Sequence, residues 1–321
     1  MAGKSYRKGL TLAQLLKKFP DDKAARKWFE EARWPNGPEC PYCGSNNVQS
    51  DIKHPTMTHR CRTGPKRRMF SLKTGTVMQG SPLGYQVWAI AIYQMTTNLK
   101  SVSSMKLHRD LGISQKSAWF LAHRLREAYK ADDMLYSGPA EVDESYFGGR
   151  EANKHASKKM RAGRGAVGKV AVAGVRDRQT NRVSAAVVEN TDSQTLHNFI
   201  ENRVVDGAKV FTDDHRAYRG MIYHKHGAVR HSAGEYVRGE VHTQGSEAFW
   251  SMLKRAHKGT FHKISPKHMA RYITEFTGRH NNREAETESQ MVKLVRGMRG
   301  RRLKYDDLIA DNGLDNGARS A

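Results

Sequence analysis

The sequence predicts an α/β protein whose second half builds a mixed sheet, preceded by a small cysteine-bearing module and a pair of helices. Three observations carry this. From Gly138 onward three strand-like segments follow one another and then give way to a helix and a further strand, the order of a mixed α/β sheet. "ECPYCGS" is a Cys-x-x-Cys knuckle in a turn-rich setting. "SSMKLHRDLGISQKSAWFLAHRLREAYK" reads as two helices around Gly112.

Taken in order, residues 11–33 form two short helices broken at Pro20. Thr11 and Gln14 make a capping-box pattern at the first, and Asp21 caps the second. After the knuckle, the stretch to "TGTVMQGSPL" alternates as short strands do, and residues 83–98 and 101–130 are helical. Ser114 caps the last helix, which places Ala118, Leu121, Ala122, Leu125 and Ala128 on one face. Lys116, His123, Arg124 and Arg126 fall mostly elsewhere, so a basic exposed face that contacts DNA is expected, with Lys116 and Arg124 as its contacts. An ordinary helical hairpin is the plainer alternative. "AEVDESYFGG", "AVGKVAVAGVRD" and "NRVSAAVVEN" are the three successive strands, "DSQTLHNFIENRV" the helix and "AKVFTDD" the strand after it.

With 321 residues the chain is long enough for two or three domains. It carries 55 Lys and Arg against 32 Asp and Glu, a net charge of +23, and its mean hydropathy is −0.74. This balance points to nucleic acid, because Lys and Arg contacts to phosphate dominate such binding. Residues 150–169 concentrate the charge, and Lys158, Lys159, Arg161 and Arg164 are the expected grip on a phosphate backbone. Residues 291–305 are basic without an acid, and the end "ADNGLDNGARSA" reads as disordered. No apolar run approaches the roughly 18 residues of a membrane span, and the N-terminus lacks the apolar core of a signal peptide. Three cysteines make no disulfide framework, so a cytoplasmic, nucleoid-associated protein is expected.

Against this basic background, "EVDESYFGGR" sets Glu141, Asp143 and Glu144 together in a strand. Asp213 closes the strand "KVFTD". Carboxylates brought together in a sheet resist ionising together unless a cation lies between them. Mg²⁺ suits such a site, because it binds through a few carboxylate oxygens plus water and phosphate. Glu247 lies in the predicted helix "GSEAFWSMLKRA", opposite an apolar stripe of Phe249, Met252, Leu253 and Ala256. Lys254 is two turns further along the same side, too far for a supporting i,i+4 pair. By alternation Glu144 points to the face opposite Asp143.

In order and wording, "EVDESYFGG", "VFTDDHRAY" and "HTQGSEAFWSMLKR" closely resemble the DDE-class transposases of bacterial insertion sequences. The branch that matches has an N-terminal zinc ribbon and an acidic triad followed by Lys (ISXO2-like). "WPNGPECPYCGS", "FSLKTGTVM" and "GISQKSAWFLAHRLREA" resemble it as well, so the likeness covers roughly residues 10–285. The resemblance implies an RNase H-like catalytic domain and strand cleavage dependent on Mg²⁺ or Mn²⁺. It also implies transfer by the freed 3′-hydroxyl into target DNA, and a homo-oligomer on DNA. Carried over, Asp143, Asp213 and Glu247 are the metal-binding triad and Lys254 the accompanying basic residue. Some relatives have an Asn three residues before the Glu, where this chain has Gln244.

The expected domains are a helical segment 1–36, a zinc-ribbon-like module 37–80, a helix-turn-helix region 81–135, the catalytic domain 136–285 and a basic tail 286–321. One departure concerns zinc. Cys40, Cys43 and Cys61 are present, but position 64, where the resemblance expects a fourth cysteine, is Gly. Either His54 or His59 substitutes, or the ribbon has lost its metal. Two other functions compete: a DNA-binding regulator on an inactive scaffold, and a metal-dependent nuclease without strand transfer. The complete triad argues against the first, and the ribbon with the helix pair argues against the second.

Overall fold

A computed structural model describes residues 8–64, 68–130, 135–149, 156, 159, 166–230, 233–235 and 237–315. They divide into two compact units, one from Met1–Lys130 and Asn282–Ala310, the other from Ala131–Asn281 and Asp311–Ala321.

In the first unit, α1 (Leu12–Lys18) starts at the Thr11/Gln14 capping box, with Gln14 N donating to Thr11 Oγ1 at 3.2 Å and Thr11 N to Gln14 Oε1 at 2.9 Å. Asp21 caps α2 (Asp22–Arg33) through Ala24 N at 2.7 Å. Three short antiparallel strands follow, β1 (Val48–Gln49), β2 (His59–Cys61) and β3 (Met69–Phe70). Gly84 gives α3 (Tyr85–Thr97) no side-chain cap, and Asp22 of α2 supplies one by accepting from Gln86 N at 3.0 Å. α4 (Ser104–Leu111) ends at Gly112, whose φ of +62° is the left-handed conformation that such a helix end favours. Ser114 then caps α5 (Gln115–Ala128). These elements close over one core that includes Leu15, Phe29, Phe70, Trp88, Met95 and Leu125.

The second unit is built on a five-stranded sheet. β4 (Ala140–Phe147), β5 (Val170–Asp177) and β6 (Val183–Val188) form an antiparallel meander. α6 (Ser193–Glu201), capped by Asp192, leads to β7 (Lys209–Asp213), which pairs parallel with β4. β8 (Lys225–Val229) extends the edge, giving the order β6-β5-β4-β7-β8. α6 covers one sheet face through Leu196, Phe199 and Ile200. α7 (Gln244–Ala256) and α8 (Met269–Asn282) cover the other through Phe249, Trp250, Leu253, Ile273 and Phe276.

The structure corrects two expectations. Residues 286–310 are not a basic tail. They form α9 (Thr287–Gly297) and α10 (Tyr305–Ile309), and Met291, Leu294, Val295 and Met298 enter the first unit's core. Two of their arginines serve helix ends, where carbonyls lack intrahelical partners and the dipole is negative. Arg296 Nε donates to Ala32 O at 3.3 Å, and Arg301 Nη1 to Glu127 O and Ala128 O, both at 3.1 Å. Gly297 permits this approach, since a Cβ there would lie 2.2 Å from Ala128 O.

The basic face of α5 is the second. Arg124 is buried, with Nε donating to Leu303 O, Nη2 to Gln79 O, and its guanidinium over the Phe120 ring at 4.0 Å. Burial, then Arg302, holds its pKa down to about 10. His123 and Arg126 are also buried, so Arg124 is no DNA contact and this face is interior. A side chain with a long apolar stem satisfies the helical pattern of a surface while its neighbours enclose it. Lys116 remains exposed, over the Tyr305 ring at 4.4 Å. Among the described residues no helix is long and apolar enough to cross a membrane.

Candidate active site

β4 and β7 bring two acids to one place. Their parallel register pairs Ala140 with Val210 and Glu141 with Phe211, and two residues further along it sets Asp143 beside Asp213. Strand alternation puts Val142 and Val210 into the core beneath α6, so Glu141, Asp143 and Asp213 take the opposite face, toward α7. Glu144 lies on the α6 face, as alternation requires, and accepts a hydrogen bond from the Tyr218 hydroxyl at 2.5 Å. Burial, then the Glu144 charge, pushes the Tyr218 phenol well above its usual range.

α7 crosses that face closely. Gly174 of β5 stands opposite Asp143, and a Cβ on it would lie 2.6 Å from the Trp250 indole. Only a glycine lets the indole rest on the strand. The helix then presents Glu247, Ser251 and Lys254 to solvent, and Lys258 is exposed in the turn after it. Asp143, Glu247, Trp250, Ser251, Lys254, Arg255 and Lys258 line one cleft of about 360 Å³. A π-helical turn, His257–Phe261, follows at its end, a distortion frequent at functional sites. Asp213 Oδ1 accepts from His215 N at 3.1 Å, and Thr243 Oγ1 donates to Glu247 Oε1 at 3.4 Å. Burial, then the charges of Glu144, Asp213 and Glu247, pushes the Asp143 carboxyl up to about 8. Mostly protonated near pH 7, it is the carboxylate whose ionisation a nearby cation would most favour.

Glu141 is the third acid of the strand and is not among the residues expected to hold metal. It is fully buried and joins the sheet to the start of α7. Oε1 accepts from Arg176 Nη1 at 3.0 Å and Arg178 Nε at 2.8 Å, with His242 Nδ1 at 3.6 Å. Oε2 accepts from Ser246 N at 3.0 Å, and Ser246 Oγ donates to Glu141 O at 3.2 Å. Thr243, the N-cap of α7, makes no side-chain cap, so a carboxylate from β4 satisfies a helix-end N–H in its place. Arg178 also donates to Glu240 O and His242 O, both at 2.6 Å, holding the segment before α7. Gly245 leaves the room Arg176 needs: a Cβ there would lie 1.9 Å from Nη1. The residue next to Ser246 is Glu247, so this cluster sets where Glu247 stands. Its legible signal was a third acid two positions before Asp143, on the same strand face.

In the first unit, the sulfurs of Cys40, Cys43 and Cys61 lie within 4.8 Å of one another. Among the described residues this is the one group of three potential ligands so closely gathered. The N–H groups of Gly64 and Thr63 hold the Cys61 thiol below its ordinary range. His54 and His59 do not join. His54 Nδ1 accepts from Thr56 N and Met57 N, and His59 is stacked on Phe70 with Thr58 Oγ1 at its Nδ1.

Of the expected phosphate contacts, Lys159 is exposed, while Lys158, Arg161 and Arg164 lie outside the described residues.

A family model described as an ISXO2-like transposase domain matches residues 136–281, and one described as a transposase zinc-ribbon domain matches residues 20–63. The chain is similar to a protein of Halobacterium salinarum named for the transposable element ISH50. The two are 26% identical over 278 residues, which cover 81% of this chain and 91% of that one. It is also similar to a transposase-like protein of Haemophilus influenzae, 30% identical over 119 residues, covering 36% of this chain and 95% of that one.

Proposed function

Since the chain belongs to the ISXO2-like transposase family, we propose that its second unit cuts DNA strands at insertion-sequence ends and joins the freed 3′-hydroxyl to target DNA. The RNase H-like reading of that unit is part of this proposal, supported by a sheet of three antiparallel strands continued by two parallel ones. The single observation that carries the reading is the cleft shared by Asp143, Glu247 and Lys254, with Asp213 beside Asp143 in the strand register.

The donor set fits a hard divalent cation. Asp143, Asp213 and Glu247 offer carboxylate oxygens, and Asp143 is held mostly protonated near pH 7 by burial and then by its neighbours' charges, a conflict that Mg²⁺ or Mn²⁺ relieves. When bound, such ions supply activation of an attacking oxygen and charge neutralisation at a leaving one. The remaining work falls to the protein's own groups. Lys254, with Arg255 and Lys258, lines the cleft with positive charge that engages the DNA backbone. Trp250 lies against Gly174 and lines the same cleft as Asp143 and Glu247.

Glu247→Gln is nearly isosteric. It should leave melting unchanged and remove cleavage of cognate ends, whereas Gln244→Ala, on an exposed residue, should keep substantial activity. Lys254→Ala should mainly weaken engagement of the DNA end. Cleavage gels and thermal melts on these variants are the test. Normal cutting by Glu247→Gln with a dead Gln244→Ala would remove Glu247 from the triad.

DNA binding should weaken steeply with salt, because each neutralised phosphate contributes a slope of about −0.9 in log K against log salt on duplex DNA. The net charge of +23 motivates this. Because Arg296 and Arg301 serve helix ends, replacing them should lower the melting temperature rather than the slope. A flat titration of the wild-type protein would count against the phosphate-binding role of the exposed lysines.

A further inference from the structure

The cysteine cluster of the first unit departs from a four-ligand site at one definite place. Cys43 Sγ and Cys61 Sγ are 3.6 Å apart. Two sulfurs on a tetrahedral ion with bonds of about 2.3 Å stand about 3.8 Å apart, so the thiols are spaced for zinc. The first knuckle is shaped by Gly44, at φ +73°, whose N–H donates to Cys40 O at 2.9 Å. The second knuckle keeps its form through Gly64, whose N–H and that of Thr63 point at the Cys61 sulfur. A Cβ on Gly64 would lie 3.9 Å from Cys61 Sγ, in ordinary contact, so the backbone is placed for a fourth cysteine that the sequence does not supply.

Neighbouring donors are engaged elsewhere. His54 serves its own loop, His59 is enclosed beside Trp34 and Phe70, and Glu39 is paired with Arg299. The undescribed residues of this unit, 1–7 and 65–67, include no His, Cys, Asp or Glu. Cys43 is exposed, so the side of the cluster it occupies is open to solvent.

We propose that Cys40, Cys43 and Cys61 form a three-thiolate zinc site whose fourth position, beside Gly64, is taken by an exchangeable small ligand from solution: water, or a low-molecular-weight thiol when one is present. Structural zinc is ordinarily closed by four protein ligands, whereas a site with three protein ligands admits an outside molecule. The consequence is a ribbon with weaker, exchangeable metal. This inference is independent of the chemistry at the carboxylates.

Co²⁺ titration of the metal-stripped full chain reads the donor set directly. In the wild-type protein, Co²⁺ should bind with one equivalent, give the thiolate charge-transfer band, and shift its visible ligand-field bands when β-mercaptoethanol is added. Gly64→Cys should show a four-thiolate spectrum that no longer responds to β-mercaptoethanol. Loss of even an outer partner of a metal ligand costs about 10- to 100-fold in affinity, so a gained thiolate should tighten zinc by about tenfold or more in chelator competition. His59→Phe should leave the wild-type response intact. The proposal is overturned if the wild-type spectrum ignores β-mercaptoethanol, if His59→Phe abolishes the response, or if no stoichiometric Co²⁺ binds. The wild-type response stands as a test even where Gly64→Cys fails to fold.

Discussion

Asp143→Asn should abolish cleavage of cognate DNA ends while raising the stability of the metal-free protein at alkaline pH. The residue sits on β4 beside Asp213 and shares a cleft with Glu247 and Lys254. Its carboxyl is pushed up to about 8, by burial first and by the charges of Glu144, Asp213 and Glu247 after it, from an ordinary value of 3.8. Between those two values the folded state keeps a proton that the unfolded state has released. Stability therefore falls as pH rises through that window. Asparagine carries no charge to repel, so the variant should melt above the wild type near pH 8 without divalent ions and alongside it near pH 4. The gain should be a few degrees, roughly 2–4 °C for each kcal/mol relieved in a unit of this size. Mg²⁺ should raise the melting temperature of the wild type and leave that of the variant nearly unmoved. Cleavage should fall by more than about 100-fold, since outer partners of metal ligands alone are worth 10- to 100-fold. Asp213→Asn should lose cleavage likewise. Either variant cutting at the wild-type rate would refute the assignment.

The second large effect concerns stability. Glu141→Ala should destabilise the sheet unit by about 3–5 kcal/mol, because removing one partner of a buried ion pair strands the others. Arg176 and Arg178 would lose their common acceptor, and Ser246 N its cap. At roughly 2–4 °C per kcal/mol this is a fall of about 6–20 °C in melting temperature. Glu288→Ala, which breaks the exposed pair with Lys18, is the comparison and should cost at most about 1 kcal/mol. Gly245→Ala separates positioning from folding. Alanine favours a helix by about 1 kcal/mol, yet its Cβ would collide with Arg176. A melting temperature near wild type, with weakened Mg²⁺ binding, is the expected outcome. Equal melting of Glu141→Ala and Glu288→Ala would show that the cluster does not hold the fold.

Features set by a few neighbouring residues were legible in the chain before any fold was known. The Thr11 and Ser114 caps and the Gly112 turn depend on contacts within four residues. Alternation along β4, with a period of two, separated Asp143 from Glu144. The three-strand run, the helix and β7 were read for the same reason. β8 was missed, because "KHGAV" is short and shows no clear alternation. The acids Asp143, Asp213 and Glu247 were chosen from the sequence, and the fold brings Asp143 beside Asp213 and sets Glu247 in the same cleft as Asp143.

What depends on distant partners was decided only by the tertiary structure. A helical wheel assigns Arg124 and Arg126 to a polar face, yet α9 and the segment after it lie against α5 and make that face interior. A basic run at 291–305 carries the same letters whether it is solvated or caps the ends of helices far away in the chain. Glu141, Gly174 and Gly245 look ordinary along the sequence, and their roles follow from Arg176, Trp250 and Ser246 arriving from other elements. Charge and packing act between neighbours in space, whereas sequence periodicity registers only neighbours along the chain.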